Sequence, residues 1–232
     1  MTYTGAKAES HYDNSHVYLM DCMDALRQTP DKYFDLAVVD PPYGIGNTNR
    51  FSRGKKSSIH KSFKWNDIIP DEMYFTEMHR ISEHQIIWGC NYYAKYIPSA
   101  GRIVHNKILT AWSRGKNLSE CDLASQSFSK KIDYFEYQWS GNVQNGSINW
   151  KNTGPDGRVH PQQKPIALYD WIYHNYLPNG GKVIDTHLGS GSNRIAADKA
   201  GNIEFYGFEI DSEYYEAQEK RYKIFKMQKT LF

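Results

Sequence analysis

The stretch VIDTHLGSGSNRIAA, Val183–Ala197, has the pattern of a buried strand, a glycine-rich turn and the start of a helix. The apolar run ends at Asp185, and Gly189 and Gly191 permit a tight turn where a ligand can approach the backbone closely. In doubly wound α/β sheets, this order forms the nucleotide site at the carboxyl end of a parallel strand. The stretch therefore predicts a Rossmann-like α/β fold with a ligand beside the turn.

Apolar strand-like runs alternate with helical segments along the rest of the 232-residue chain. Continuous apolar character, as in the run that ends at Val39, is typical of strands buried on both faces of a parallel sheet. The alternation predicts a mostly parallel sheet with helices on both faces. The predicted strands cover residues 16–20, 35–39, 85–89, 102–104, 135–139, 182–185 and 205–209. The predicted helices cover residues 24–28, 71–82, 166–177, 193–200 and 212–225.

A second motif, VVDPPYGIG at Val38–Gly46, ends the strand predicted over residues 35–39. It places the carboxylate of Asp40 next to two prolines and the ring of Tyr43. A surface turn needs only one Pro or Gly, whereas two consecutive prolines fix the backbone after the acid. This combination indicates a functional segment that is held in one conformation.

The residues around the glycine-rich turn restrict the kind of ligand. Glu209 lies twenty residues after Gly189, at the end of the next predicted strand, where a carboxylate can bind both ribose hydroxyls. Arg194 stands where the dinucleotide fingerprint has its third glycine, and the Gly-Lys-Ser/Thr of a phosphate loop is missing. The Asp185 carboxylate would repel a pyrophosphate but attract an ammonium group. A nucleoside that carries an amino acid therefore fits better than a dinucleotide.

The basic residues of the chain are unevenly distributed. The formal net charge is only +2, which is too small to indicate a nucleic-acid partner by itself. Between Gly44 and Lys64, however, there are six basic residues and no acidic residue. Such a segment is typical either of a loop that contacts phosphates or of a solvated charged surface.

Cysteine usage and hydropathy indicate the compartment. The three cysteines, Cys22, Cys90 and Cys121, are far apart, and they form neither a disulfide framework nor a zinc-ligand pattern. The sequence contains neither the apolar core of a signal peptide nor a run as long as a transmembrane helix. We therefore expect a soluble, cytoplasmic protein of a reducing compartment, without a metal.

The motif DPPY at 40–43, together with DTHLGSGS at 185–192, resembles the motif pair of amino-group DNA methyltransferases that use S-adenosylmethionine. The catalytic motif comes first, which is similar to the order in the β group of that family. HPQQKP at 160–165 resembles the segment that precedes the cofactor motif in this group, and IIWGCNYY at 86–93 is similar to a segment of phage-type members. The resemblance implies a single methyltransferase domain over 1–232, with a seven-stranded sheet in circularly permuted motif order, encoded by a bacterium or a phage.

For catalysis, the resemblance implies that the Asp40 carboxylate and the Pro41 carbonyl accept hydrogen bonds from the target amine. The lone pair of the amine, otherwise delocalised into the base, then turns towards the methyl donor. Pro42 stiffens this segment, and Tyr43 stacks on a base that has been flipped out of the duplex. Asp40 is also the candidate acceptor of the amine proton.

The resemblance further implies a cofactor site and a DNA surface. Glu209 binds the ribose, Lys164 reaches the methionine carboxylate, and Asp21 with Cys22 contacts the adenine of the cofactor. A strand end with a buried thiol is the alternative for that last pair. The complete set of predicted cofactor residues is Asp21, Cys22, Lys164, Asp185, Gly189, Ser190, Gly191 and Glu209. The predicted DNA-binding residues, in a basic DNA-contacting loop over 44–64, are Arg50, Arg53, Lys55 and Lys56. A small target-recognition region is expected at about 107–160.

The interpretation that these motifs favour is methyl transfer to adenine N6 in double-stranded DNA. Cytosine N4 is the first alternative. It ranks below adenine because relatives that methylate cytosine more often carry Ser in place of Asp40. RNA is a further alternative substrate. Thr186, His187 and Asn106 depart from the family pattern, which leaves open a DNA-binding or partner subunit without catalysis. A homodimer is a candidate assembly, because a small recognition region gains contact area by pairing.

Overall fold

The computed structural model describes residues 1–45, 68–108, 119–140, 143–144, 147–148, 159–160 and 162–229. These residues form twelve strands and five α-helices, which alternate only in part, because β5 to β10 follow one another without an α-helix between them. The strands are β1 Ala8–Tyr12, β2 Ser15–Leu19, β3 Phe34–Val39, β4 Ser82–Trp88, β5 Gly101–Asn106, β6 Cys121–Gln126, β7 Ile132–Glu136, β8 Trp139–Ser140, β9 Val143–Gln144, β10 Ser147–Ile148, β11 Gly181–Asp185 and β12 Ile203–Glu209. The helices are α1 Cys22–Gln28, α2 Glu72–Ile81, α3 Ile166–Tyr176, α4 Ser192–Ala200 and α5 Ser212–Lys229.

The main sheet has nine strands in the order β1-β2-β12-β11-β3-β4-β6-β5-β7. The central strands β2, β12, β11, β3 and β4 are parallel to their neighbours in this order. β1 is antiparallel to β2, β6 is antiparallel to both β4 and β5, and β7 is parallel to β5. The short strands β8, β9 and β10 form a separate antiparallel sheet. The predicted α/β fold with a mostly parallel sheet is therefore confirmed.

The number of strands differs from the prediction, since the described residues form a main sheet of nine strands instead of seven. β1 was missed because its side chains alternate between half-buried and exposed at the edge of the sheet, which gives it little apolar character. β6 was missed because Cys121–Gln126 contains only two aliphatic residues. β6 and β7 lie within the segment predicted for target recognition, at about 107–160, so that part of the segment belongs to the main sheet.

Successive residues of β3 pack on opposite faces of the sheet, because side chains alternate along a strand. Ala37 belongs to the core that α1 and α2 cover, together with Phe75. Leu36 belongs to the core that α3 and α4 cover, together with Leu168. All four side chains are at most 2% exposed. Helices therefore cover both faces, as predicted. Among the described residues, no helix has both the length and the apolar character to cross a bilayer.

The parallel strands bring the sequence motifs to one edge of the sheet. β3, β11 and β12 are neighbours, and all three run in the same direction. Asp40 follows the last residue of β3, whereas Asp185 and Glu209 are the last residues of β11 and β12. Asp21 follows the end of β2, which pairs with β12 on its other side. The carboxyl ends of parallel strands are the usual place for a ligand in such a sheet.

Candidate active site

Asp40 is held by a phenol and an ammonium group. The hydroxyl of Tyr43 donates a hydrogen bond to Oδ1 of Asp40. The Nζ atom of Lys164 lies 2.7 Å from Oδ2 of Asp40 and 3.2 Å from the hydroxyl oxygen of Tyr43. The side chain of Lys164 is only 7% exposed, so this ion pair is largely shielded from water. A carboxylate at the end of β3 is therefore fixed through both of its oxygens.

The charges around Asp40 favour an ammonium and a neutral phenol. Burial alone would lower the pKa of Lys164, but the carboxylates of Asp40 and Asp122 outweigh it and raise the pKa above its usual value. Burial, and next the Asp40 carboxylate, raise the pKa of Tyr43 well above its ordinary value. Lys164 therefore stays charged at neutral pH, and Tyr43 keeps the proton that it donates to Asp40.

A second ion pair lies beside the first and was missed by the sequence analysis. The Nζ atom of Lys107 is 3.0 Å from Oδ1 of Asp122, which lies opposite His105 in the pairing of β5 and β6. Burial lowers the pKa of His105 to about 4, so its ring is neutral. Burial would raise the pKa of Asp122, but Lys164 and Lys107 lower it below the usual value. The sequence offered only the acid Asp122 as a signal, and Asp122 lies in β6, a strand that the sequence did not predict.

The prolines of the DPPY motif are fixed through their carbonyl groups. Proline has no N–H to donate, so the Pro41–Pro42 peptide group can be held only through its oxygen. The hydroxyl of Tyr93, on a fully buried side chain, lies 2.6 Å from the carbonyl oxygen of Pro41 and 2.6 Å from that of Pro42. Each carbonyl has two lone pairs, so Pro41 can accept a further hydrogen bond from a ligand.

The ring of Tyr43 packs against backbone and against a second tyrosine. Gly89 follows β4 and has φ +74°, in the left-handed region that favours glycine. A Cβ at Gly89 would come within 2.3 Å of Cε1 of Tyr43, so no larger residue fits against this ring. Tyr92 stacks on Tyr43 with a centroid distance of 4.9 Å and an interplanar angle of 14°.

Gly89→Ala is expected to lower the free energy of unfolding by about 3 kcal/mol, from the left-handed backbone and from the overlap with Tyr43. Gly201→Ala is the matched control, because Gly201 has φ +78° but no atom within 4 Å of an added Cβ. That substitution should cost only about 1 kcal/mol. Urea denaturation of both variants measures the difference. If both variants lost the same free energy of unfolding, the Tyr43 ring would be able to move away from an added methyl group without measurable cost.

Two carboxylates face the glycine-rich turn. Oδ1 of Asp185 accepts a hydrogen bond from the backbone N–H of His187, and Oδ2 accepts one from the side-chain amide of Asn193, each at 3.0 Å. Burial raises the pKa of Asp185 to about 7. Oε2 of Glu209 accepts from the backbone N–H of Gly189 at 2.9 Å, and burial raises the pKa of Glu209 as well. Gly189 and Gly191 have φ values of +51° and +71°, which explains why glycine occupies both positions.

The two residues that depart from the family pattern in this turn form a hydrogen-bonded chain. The Oγ1 atom of Thr186 lies 2.6 Å from the hydroxyl of Tyr74 on α2 and 2.9 Å from Nδ1 of His187. The rings of Tyr74 and His187 pack edge to face, 5.6 Å apart. Burial lowers the pKa of His187 to about 4, so its ring is neutral. The side chains of Thr186 and His187, which replace the usual family residues, therefore have hydrogen-bond partners beside the glycine turn.

Arg194 has a structural position, which explains why the third glycine of a dinucleotide site is absent. Its side chain is fully buried and donates to Ser15 at 2.8 Å and to Glu219 at 2.5 Å. The guanidinium carbon also lies 3.7 Å from the ring centroid of Tyr222. These contacts tie α4 to β2 and α5.

The remaining predicted site residues fall into three groups. Asp21 caps α1 by accepting from the backbone N–H of Met23 at 2.8 Å, and burial raises the pKa of the Cys22 thiol to about 12. The hydroxyl of Ser190 lies 3.1 Å from that of Ser192. The predicted DNA-binding residues lie outside the described residues: Arg50, Arg53, Lys55 and Lys56.

Two further parts of the prediction concern the loop regions and the metal. Residues 46–64 of the basic loop, and residues 109–118, 141–142, 145–146 and 149–158 of the recognition region, also lie outside the described part of the chain. Within the part that is described, no group of three or more His, Cys, Asp and Glu side chains is arranged to hold a metal ion.

Known proteins share both the sequence pattern and the fold. The family model N6_N4_Mtase, "DNA methylase", matches residues 105–220, which is half of the chain. The type II methyltransferase M.ScaI of Streptomyces caespitosus is 22% identical, in a match that covers 90% of this chain and 82% of M.ScaI.

Two solved structures show the same fold. The M1.HpyAVI–SAM complex has a TM-score of 0.53 and 16% identity, in a match that covers 89% of this chain and 98% of that one. The cytosine-N4-specific PvuII DNA methyltransferase has a TM-score of 0.61 and 12% identity, covering 96% of this chain and 95% of that one. At these identities the structures establish the architecture, whereas the family model establishes the relationship. The chain therefore belongs to the N6/N4 amino-group family of DNA methylases, as its paired motifs predicted.

Proposed function

We propose that this enzyme transfers a methyl group from S-adenosylmethionine to the N6 amino group of adenine in double-stranded DNA. The observation that carries the proposal is the position of Asp40. Its carboxylate lies at the end of β3, next to the strand that ends in Asp185 and the glycine-rich turn. A hydrogen-bond acceptor for an amine thus adjoins a site with carboxylates for an amino acid and a ribose.

The residues of the DPPY segment suit the activation of a poor nucleophile. Asp40 and the Pro41 carbonyl are two acceptors for the two N–H bonds of an exocyclic amine. Tyr93 fixes the Pro41 carbonyl, and Tyr43 and Lys164 fix Asp40, so the acceptors are preorganised. Once the nitrogen forms its new bond to carbon, Asp40 accepts the proton that the amine must lose. Positioning and electrostatics then supply most of the rate enhancement.

The residues beside the turn fit S-adenosylmethionine by the chemistry of their donors and acceptors. The Asp185 carboxylate suits the ammonium group, and Glu209 suits the ribose hydroxyls, at the end of the next strand. Gly189 and Gly191 keep the turn free of side chains in left-handed conformations. When bound, S-adenosylmethionine supplies a methyl group on a positively charged sulfur. Asp21, Cys22 and Ser190 remain proposed contacts at the rim of this site.

Cofactor affinity is expected to fall as the pH drops through the pKa of Asp185, which burial raises to about 7. The ionised carboxylate attracts the ammonium group and the protonated form does not, so binding at pH 6 should be about tenfold weaker than at pH 8. His187, with a pKa of about 4, stays neutral throughout this range. Titration calorimetry with S-adenosylmethionine measures the change.

Asp185→Asn separates Asp185 from the other acid at this site, because the variant cannot ionise, although its single side-chain oxygen can keep only one of the two hydrogen bonds from His187 and Asn193. Its affinity should be weaker at pH 8 and nearly the same at both pH values. A tenfold change that persists in Asp185→Asn would assign the titration to another group, such as Glu209.

The substrate preference rests on one residue of the catalytic motif. Relatives that methylate cytosine N4 more often carry Ser in place of Asp40, so the acid favours adenine. The PvuII enzyme, which is cytosine-N4-specific, shares the fold only, and both products therefore belong in the test. The basic residues Arg50, Arg53, Lys55 and Lys56 remain proposed phosphate contacts, with binding that weakens as salt rises. Homodimer formation also remains a prediction.

The experiment is labelled methyl transfer from S-adenosylmethionine to unmethylated duplex DNA, followed by digestion of the product to nucleosides. We expect the label in N6-methyladenine, and sequencing of the product then gives the target sequence. Label in N4-methylcytosine would identify cytosine, not adenine, as the target base and would leave the rest of the mechanism unchanged. No transfer to duplex, single-stranded DNA or RNA, with the cofactor bound, would point to a partner subunit without catalysis.

A further inference from the structure

We propose that Arg221 of α5 is a positioning residue for the methionine carboxylate of the cofactor, and that it acts on this group through the hydroxyls of Ser192 and Ser190. The inference rests on the proposed function, because it concerns the S-adenosylmethionine that the glycine-rich turn is proposed to bind. It gives the cofactor carboxylate a cation other than Lys164, whose ammonium contacts Asp40.

Arg221 reaches the glycine-rich turn from the neighbouring helix. Its side chain is only 7% exposed. The Nη1 atom donates to the backbone carbonyl of Ser190 at 2.8 Å and to the hydroxyl of Ser192 at 2.9 Å. A guanidinium stays charged in proteins, and its charge acts more strongly where water is excluded. Both of these contacts are with neutral oxygens, so they do not neutralise the positive charge that Arg221 brings to the turn.

Arginine can only donate, and this sets the direction of the hydrogen bond between the two serines. Their hydroxyl oxygens lie 3.1 Å apart. Ser192 already accepts from Arg221, and within the described residues the hydroxyl of Ser190 is the one acceptor for its proton. The proton of Ser190 then has no acceptor in that part of the chain, although its side chain is only 6% exposed. The opposite direction would leave the less exposed hydroxyl, that of Ser192, without an acceptor.

A buried hydroxyl without an acceptor is costly, so the Ser190 proton is available to a ligand. A hydroxyl that accepts from a charged donor chain is polarised by it, which strengthens the hydrogen bond that it donates in turn. The chain from Arg221 through Ser192 to Ser190 therefore suits a negatively charged acceptor. In S-adenosylmethionine that group is the carboxylate.

The N-terminus of α4 adds an independent preference for an anion. Gly191 precedes this nine-residue helix, and no side-chain hydrogen bond caps it within the described part of the chain. Free backbone N–H groups and the helix dipole favour a negative group there. The side-chain amide of Asn193 donates to Asp185 at 3.0 Å, so this end of the helix adjoins the acid proposed for the ammonium. An amino acid carries its ammonium and its carboxylate on one carbon, so neighbouring sites of opposite charge fit both groups.

The competing explanation is that Arg221 only holds the turn in shape. A ligand without the carboxylate separates the two roles. The decarboxylated form of S-adenosylmethionine keeps the adenosine, the sulfonium and the ammonium. A role in shape alone affects both ligands equally, whereas a role toward the carboxylate affects S-adenosylmethionine alone.

The experiment measures the dissociation constants of both ligands for the whole enzyme by titration calorimetry at pH 8. The wild type should bind S-adenosylmethionine more tightly than the decarboxylated form. In Arg221→Met this preference should fall by about tenfold or more, and Arg221→Lys should recover part of it because the charge returns. Ser190→Ala should lower the preference by about three- to tenfold. This variant removes a single hydroxyl, so it decides the question even if Arg221→Met does not fold.

Ser82→Ala is the matched control for Ser190→Ala. Ser82 is fully buried, and its hydroxyl donates to the carbonyl of Met78 at 2.6 Å. It is the first residue of β4, at the opposite end of the parallel strands from the glycine-rich turn. Loss of this hydroxyl should leave the preference between the two ligands unchanged.

The inference is wrong if the wild type binds both ligands equally well, or if either Ser190→Ala or a folded Arg221→Met keeps the wild-type preference. An equal loss of affinity for both ligands would also overturn it and would leave Arg221 a structural role. A wild type that binds neither ligand would overturn the proposed function itself. A labelled product other than N6-methyladenine would change the proposed target base but not the outcome of this binding test, which keeps the failures distinct.

Discussion

Asp40→Asn is expected to lower kcat for methyl transfer by about a thousandfold, with cofactor affinity within a factor of about two of the wild type. Asn has the shape of Asp but only one acceptor oxygen. Lys164, which lies 2.7 Å from Oδ2 of Asp40, must orient that oxygen towards its own ammonium. The target amine then loses both its acceptor and the base that takes its proton. Single-turnover transfer of labelled methyl groups measures the loss.

A control on the same strand separates this effect from damage to the fold. Asp35 lies near the start of β3, where Oδ2 accepts from the backbone N–H of Lys182 at 2.7 Å. Asp35→Asn makes the same chemical change at the opposite end of the strand and should leave kcat within about twofold. Thermal unfolding should show both variants folded at the assay temperature. If Asp40→Asn kept more than a tenth of the wild-type rate, Asp40 could not be the principal acceptor.

The parts of the fold that were predicted are those with continuous apolar runs. β3, β11 and β12 lie in the middle of the sheet and are buried on both faces, so their sequences carry the signal of a parallel strand. β1 and β6 have a weaker signal: β1 is a polar edge strand, and β6 takes its stability from pairing with β4 and β5. Such strands depend on tertiary pairing that no local pattern records.

The candidate site was predicted where it depends on motifs and missed where it depends on contacts across strands. Asp40, Asp185 and Glu209 follow or end strands whose order the fold class sets, so their meeting at one edge could be expected. The Lys107–Asp122 pair joins β5 and β6, and it requires a register that the sequence does not reveal. The same holds for Tyr92, because only the turn at Gly89 brings its ring onto Tyr43.

The HPQQKP motif indicated that Lys164 belongs to the site but did not indicate which group its ammonium contacts. The HPQQKP segment predicted that Lys164 reaches the methionine carboxylate of the cofactor. In the structure its ammonium instead contacts the carboxylate of Asp40 and the hydroxyl of Tyr43. The carboxylate of Asp122 also helps to raise the pKa of Lys164. These two roles make different kinetic predictions, because one concerns cofactor affinity and the other concerns the orientation of the Asp40 carboxylate.

Lys164→Met is expected to lower kcat by about a hundredfold while the Kd for S-adenosylmethionine changes by less than about twofold. Methionine fills a similar volume but leaves Oδ2 of Asp40 without its cation, so the carboxylate is no longer held in one orientation. Lys164→Arg should recover part of the rate, because it restores the positive charge. Single-turnover rates and titration calorimetry measure the two quantities separately.

Lys107→Met is the matched control, since it removes an ammonium of the same site that binds Asp122 at 3.0 Å instead of Asp40. Its effect on kcat should stay below about tenfold, because the two oxygens of Asp40 keep Lys164 and Tyr43 as partners. The opposite pattern for Lys164→Met, a Kd for S-adenosylmethionine raised tenfold or more with kcat unchanged, would return Lys164 to the cofactor carboxylate. Equal losses in Lys164→Met and Lys107→Met would instead mean that the total positive charge beside the site matters more than the single contact with Asp40.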